Sequence, residues 1–219
     1  VSSVWSPGFF LPVSFLEGRR TGLAYMNNDP IRAEISESIE VKRRILDDGT
    51  LLHTVEQVAG ECISAYRHGN RVLLAGNGGS AADAQHIAAE FVSRYGFDRP
   101  GLAAIAFTTD TSMLTAISND YGYESVFLRQ LEANGREGDV FIGISTSGNS
   151  ANVLVALERA RELGIVTVGL TGQGGAKMAS SCDYCIQVPS PSTPRIQESH
   201  IMLGHIICGM VENTLFAGQ

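Results

Sequence analysis

The sequence predicts an α/β protein: a doubly wound, five-stranded parallel sheet flanked by helices. Three observations carry this prediction. From residue 71 onward, short apolar runs alternate with stretches of helical periodicity. The runs lack in–out alternation, as strands covered on both faces do. Two small-residue loops, Gly76-Asn77-Gly78-Gly79-Ser80 and Ser145-Thr146-Ser147-Gly148-Asn149-Ser150, each stand where a strand gives way to a helix. The βαβα order implies right-handed crossovers.

Asp29-Pro30 supplies an N-cap and a first-turn proline, and Ile31, Ile35, Ile39, Ile45 and Leu46 carry a helix toward Gly49. A second helix presents Leu51, Leu52, Val55, Val58, Ala59, Cys62, Ile63 and Tyr66 on one face and stops near Gly69-Asn70. Strands are predicted over 71–75, 103–107, 139–144, 165–170 and 184–188. Helices are predicted over 80–95, 111–118, 124–134, 150–163 and 175–180, and a long one over about 194–216 closes the chain. The long amphipathic helices at both ends offer surface for oligomer packing, or for packing on the chain's own sheet. Residues 29–219 thus read as a single domain with an N-terminal helical segment.

Residues 1–28 differ. The apolar run Phe9–Leu16 is split by Pro12, and Arg19 and Arg20 follow it, the reverse of a signal peptide's order. Met26 lies just before the first patterned helix, so the favoured reading is a disordered or misassigned upstream extension. No stretch has the length and apolarity of a membrane span.

The 219 residues, 44% hydrophobic and 18% charged, suit one well-cored globular domain. A net charge of −7 opposes nucleic-acid binding, which needs Lys and Arg on phosphates. Cys62 and Cys208 fall on apolar helix faces. Cys182 and Cys185 have C-x-x-C spacing, which raises redox and metal readings. No second C-x-x-C completes a zinc site, and the pair enters a strand rather than opening a helix, so core and loop cysteines in a reducing compartment are preferred.

Both small-residue loops sit at carboxyl ends of predicted strands, where helix N-termini aim amides at anions. Gly76-x-Gly78-x-x-Ala81 also fits a relaxed dinucleotide fingerprint, but the next strand ends in Thr108-Thr109-Asp110, late and in a capping context. Four hydroxyls in the six residues 145–150 exceed what capping the next helix needs, and they suit a phosphorylated, hydroxyl-rich ligand. Asp83, Gln85, His86 and Glu90 lie on the helix after the first loop. His86 and Glu90 are one turn apart, which serves metal binding, acid–base work or an ordinary surface contact equally well. On the last helix, spacing favours Glu198 with His205, nearly eclipsed, over Gln197 with His205, and does not decide among these and His200. Asn119-Asp120 could face the same crevice or simply end a helix.

Taken together, the segments Gly76–His86, Ile144–Asn152 and Arg195–His200 resemble the sugar isomerase (SIS) domain family, over about Asp29 to the C-terminus. The resemblance implies a flavodoxin-like core, a cytoplasmic homotetramer with active sites at subunit contacts, and one zinc ion per subunit. It assigns the metal to His86, Glu90, Gln197 and His205. It assigns substrate contacts to Asn77, Gly78, Gly79, Ser80, Glu90, Asn119, Asp120, Ser145, Thr146, Ser147, Ser150 and Gln197, with Arg94 a further candidate. Glu198 and His200 would be structural or at an interface. The implied reaction is aldose–ketose isomerisation of sedoheptulose 7-phosphate through an enediol, with Glu90 and His205 as acid–base groups, at the start of heptose synthesis for lipopolysaccharide. Some relatives carry an acidic residue where this chain has Pro194, so that side chain's role does not transfer. A second reading is a non-enzymatic SIS relative that binds the bacterial replication initiator. That relative lacks counterparts of Glu90 and His205, although the ending Asn213-Thr214-Leu215-Phe216 resembles it. A third reading is a sugar-phosphate sensor that binds without turnover.

Overall fold

A computed structural model describes residues 29–218. The expected extension over residues 1–28 lies outside the described residues. The chain divides between Ile39 and Glu40 into two compact units. Within the first, the N-terminal part of helix α1 (Pro30–Asp47) starts at Asp29, whose carboxylate accepts from the Arg32 backbone and guanidinium. Ile31, Ile35 and Ile39 are exposed there.

The second unit holds the sheet. Strands β1 (Val72–Gly76), β2 (Ala104–Ala106), β3 (Val140–Ile144), β4 (Val166–Gly172) and β5 (Tyr184–Val188) pair in the order β2-β1-β3-β4-β5, all parallel. This is the flavodoxin-like order, and its switch point lies between β1 and β3. The strands separate two cores by strict alternation. Val72, Leu74, Val140 and Ile142 face the residues of α2 (Gly49–Arg67), α3 (Gly79–Val92) and α8 (Thr193–Phe216). Leu73, Ala75 and Phe141 face α5 (Val126–Asn134), α6 (Ala151–Glu162) and α7 (Ala176–Ser181). Burial on both faces explains why β1 and β3 read as unbroken apolar runs.

Local chemistry sets the boundaries. Asp48 accepts from the backbone amides of Thr50 and Leu51, so a single residue separates the end of α1 from the start of α2. Asp110 caps α4 (Thr111–Tyr121) by accepting from Met113 N–H, the capping role its context suggests and not a ribose-binding one. The helix expected over 124–134 begins instead as a 3-10 turn, Tyr123–Ser125, before α5. Strand β2 is shorter than its apolar run, with Ile105 exposed at the sheet edge.

Candidate active site

The two loops meet at the switch point. Asn77, after β1, and Asn152, in the first turn of α6, exchange amide hydrogen bonds, each donating Nδ2 to the other's Oδ1 at 2.9 Å. The Tyr123 hydroxyl donates to Asn77 Oδ1 at 3.0 Å. This bridge locks the loop of one βα unit to the helix of the next. Gly78 holds φ +56° and ψ −120°, outside the reach of an L side chain, which lets the chain turn directly into α3. Ser80 is buried in that turn, its backbone against Gly76.

In the second loop, the Ser145 and Ser150 hydroxyls bond each other at 2.8 Å. Ser150 occupies the N-cap of α6 yet makes no side-chain capping bond. The capping explanation of this hydroxyl therefore fails. Ser147 Oγ accepts from Asn149 N–H at 3.2 Å and stays exposed, while the Thr146 carbonyl accepts from Gly172 N–H. Gly148, at φ +65°, lies so close to Gly175 that a Cβ would collide with its Cα. The N-termini of α3 and α6 both open from these loops, so two helix dipoles favour an anion there. Between Asn77, Gly78, Thr108, Tyr123 and Phe127 lies a cleft of about 70 Å³. Asn119 and Asp120 bond each other, exposed near the end of α4, and it is Tyr123 that reaches the first loop.

Helices α3 and α8 run side by side and bring the titratable groups together. His86 Nε2 lies 3.1 Å from Glu90 Oε1 and 3.3 Å from His205 Nε2. The imidazole rings meet edge to face, with centroids 4.8 Å apart. One proton on His86 Nε2 cannot be donated to both neighbours, whereas a cation would satisfy all three donor atoms at once. A tetrahedral ion with bonds of about 2.0–2.1 Å spaces its ligand atoms roughly 3.3 Å apart, close to the two His86 distances, and the three donor atoms all lie within 4.8 Å of one another. Two imidazoles and one carboxylate also leave a coordination position open, as catalytic zinc sites do.

Gln197 lies elsewhere in the single chain. Its amide packs on Gly79 in the first turn of α3, seven residues before His86 or about 10 Å of helix rise. Glu198, favoured by spacing, is drawn off by Lys42 Nζ at 3.0 Å and Arg195 at 3.5 Å. Eclipsing seven residues apart aligns side chains around the axis while leaving them two turns apart along it. His200 is fully buried and bonds the Thr171 carbonyl, a structural position. Burial raises the Asp83 carboxyl to about 6, with nearby His86 pulling it back down.

Sequence reasoning missed the support behind Glu90. Arg99 and Glu212 form an ion pair of 3.0 Å, each side chain 2% exposed. Arg99 donates to the carbonyls of Glu90 and Phe91, closing the C-terminal end of α3. Glu212 accepts from the amides of Tyr95, Gly96 and Phe97. Burial pushes its carboxyl up, but these amides and Arg99 outweigh burial and hold it below its usual value. The segment so pinned sets the Tyr95 ring 5.7 Å from that of His205, and Arg94 is exposed on it. A single Arg and a single Glu 113 residues apart give no local signal.

Residues 37–172 match the sequence profile of the SIS domain. The chain is 66% identical over 192 residues to a phosphoheptose isomerase of Aneurinibacillus thermoaerophilus, covering 88% of this chain and 97% of that protein. It is 60% identical to phosphoheptose isomerase 2 of Campylobacter jejuni, over 86% of this chain and 94% of that one. The solved phosphoheptose isomerase of Neisseria gonorrhoeae superposes with a TM-score of 0.79 at 45% identity, covering 84% of this chain and 98% of that one. That of Francisella tularensis gives 0.81 at 34% identity, over 84% and 97%.

Proposed function

Since the chain belongs to the SIS-domain family and is a sugar-phosphate isomerase of the phosphoheptose type, we propose that it converts D-sedoheptulose 7-phosphate to D-glycero-D-manno-heptose 7-phosphate. The observation that carries the reading is the convergence of His86, Glu90 and His205, with ligand atoms all within 4.8 Å, on the helix that the first anion-favouring loop opens and on α8 beside it.

Ketose–aldose exchange moves a proton between adjacent carbons and another between their oxygens. The amides and hydroxyls of residues 77–80, 145–147 and 150 hold the phosphate and sugar hydroxyls, with Asn119, Asp120 and Gln197 completing the grip. Glu90 takes the carbon-bound proton from one carbon and returns it to the next. His205 serves the oxygens as the opposing acid–base group, and positioned groups of this kind contribute roughly 10²–10⁴-fold each. His86, Glu90 and His205 would hold one zinc ion per subunit; Gln197, which lies at the first turn of α3 within one chain, would join them only across a subunit contact. Such an ion would polarise the carbonyl and stabilise negative charge on its oxygen.

The same reading makes the enzyme a cytoplasmic homotetramer with sites at subunit contacts, supplying the first heptose phosphate for lipopolysaccharide precursors. Two observations support shared sites. The cleft of about 70 Å³ is small beside ligand pockets of roughly 300–1,000 Å³. The His86 side chain is 50% exposed within one chain. Among the described residues, no helix is long and apolar enough to cross a membrane. The initiator-binding reading draws no support from the cluster, which such a protein has no need to keep.

The test is purified protein with sedoheptulose 7-phosphate, followed by aldose formation with and without chelator, then with zinc restored. Turnover that chelator abolishes and zinc restores is expected. No turnover by folded, zinc-loaded protein overturns the isomerase assignment, and chelator-resistant turnover overturns the metal's part in it.

A further inference from the structure

The C-x-x-C spacing takes on new meaning in the fold. Cys182 follows the last turn of α7, and Cys185 lies in β5, the edge strand of the sheet. Cys185 pairs in register with Gly169 of β4. The Cys182 sulfur lies over that same glycine, where a Cβ would come within 3.0 Å of it. Residues paired across parallel strands share a face, so Gly169 is a floor without a side chain under both sulfurs. The Cys182 thiol, itself buried, donates to the Met178 carbonyl at 3.1 Å. Both are free thiols, and Cys185 is partly exposed where no further strand covers it.

We propose that Cys182 and Cys185 form a dithiol–disulfide couple that exchanges with low-molecular-weight disulfides. The neighbouring Cys185 thiol, helped by the Gly169 backbone and opposed by burial, lowers the Cys182 thiol below its ordinary range. The Cys182 sulfur in turn pushes the Cys185 thiol well up. Cys182 is therefore the attacking sulfur. Its thiolate displaces one thiolate from the small disulfide and forms a mixed disulfide. Cys185 then loses its proton and attacks Cys182 Sγ, releasing the second small thiol. In sum, two protein thiols and one small disulfide become one protein disulfide and two small thiols, with two electrons and two protons passing to the small molecule. Burial raises the thiols of Cys62, to about 12, and Cys208, whereas Cys182, although also buried, is held low.

The experiment uses the full-length, natively folded protein, reduced, desalted and exposed to excess oxidised glutathione. Lys177 and Arg195 bound a tryptic peptide, residues 178–195, that holds both cysteines and neither of the others. After blocking free thiols, that peptide is expected to carry an internal disulfide that dithiothreitol reverses, with Cys62 and Cys208 still alkylated. Cys185→Ser is expected to trap a glutathione adduct on Cys182. A wild-type peptide with both thiols alkylated overturns the proposal. So does oxidation of Cys62 or Cys208 ahead of the pair, or separate stable adducts on Cys182 and Cys185.

Discussion

Replacing His200 with glutamine isolates one titration from the rest of the protein. His200 sits fully buried in α8, its Nε2–H donating to the Thr171 carbonyl at 3.2 Å, with Nδ1 lacking a hydrogen-bond partner. Burial, offset only in part by the Thr171 carbonyl, pushes its pKa from 6.5 down to about 4. Below about 6.5 the unfolded chain takes up a proton that the folded protein refuses until about 4. The contribution is therefore complete above pH 6.5 and is lost as pH falls toward 4. A span of about 2.5 pH units at 1.36 kcal/mol each amounts to roughly 3 kcal/mol. Glutamine keeps a donor for Thr171 and removes the titration. Urea-unfolding free energies for both proteins, taken from pH 8 down to 4, should converge as pH falls, with the wild type losing about 3 kcal/mol more. Carboxylates titrate in both proteins and cancel in the comparison. Parallel curves would refute the assignment of this pH dependence to His200.

Other outcomes follow from the site and its support. Glu90→Gln and His205→Ala should each lower kcat at least roughly tenfold while circular dichroism stays native; an unchanged rate removes the residue from the chemistry. Glu212→Gln leaves the Arg99 guanidinium buried without its counter-charge, and denaturant unfolding should register a loss of about 3–5 kcal/mol. A loss under about 1 kcal/mol would mean that water already reaches the pair. Gly78→Ala forces an L side chain to φ +56°, which should cost about 1–2 kcal/mol in stability and weaken phosphate competition in an inhibition assay. Zinc at a hundredfold excess over its Kd should add about 2.7 kcal/mol of stability, and His86→Ala should abolish that gain in thermal unfolding. A zinc-dependent shift that survives in His86→Ala would place the ion elsewhere.

Much of the fold was legible because buried parallel strands leave a plain trace. The runs at 71–75 and 139–144 are apolar on both faces, and each is followed by small residues that permit a tight turn into a helix. The caps at Asp29 and Asp110 were legible for the same local reason. The 3-10 entry to α5, closed by Ser125 N–H on the carbonyl of Gly122 at φ +86°, was not, and neither was the Tyr123 hydroxyl's reach to Asn77, 46 residues earlier. The His86–Glu90 pair was visible as a one-turn repeat, yet periodicity preferred Glu198 as the partner of His205. That preference fails because angular alignment carries no information about axial distance or about Lys42 on another helix.

What the sequence determined by itself is the order of strands and helices, the two anion-favouring loops and the residue types able to carry acid–base chemistry. Each depends on neighbours within a few residues, through hydrogen bonds, capping and side-chain period. Only the tertiary structure decided which groups meet. It set His205 3.3 Å from His86 across 119 residues, buried the Arg99–Glu212 pair behind Glu90, and laid Cys182 and Cys185 over one glycine. Those meetings follow from the parallel packing of α3 against α8 and the register of β4 with β5, and such docking is fixed by burial of whole faces rather than by any local run of residues.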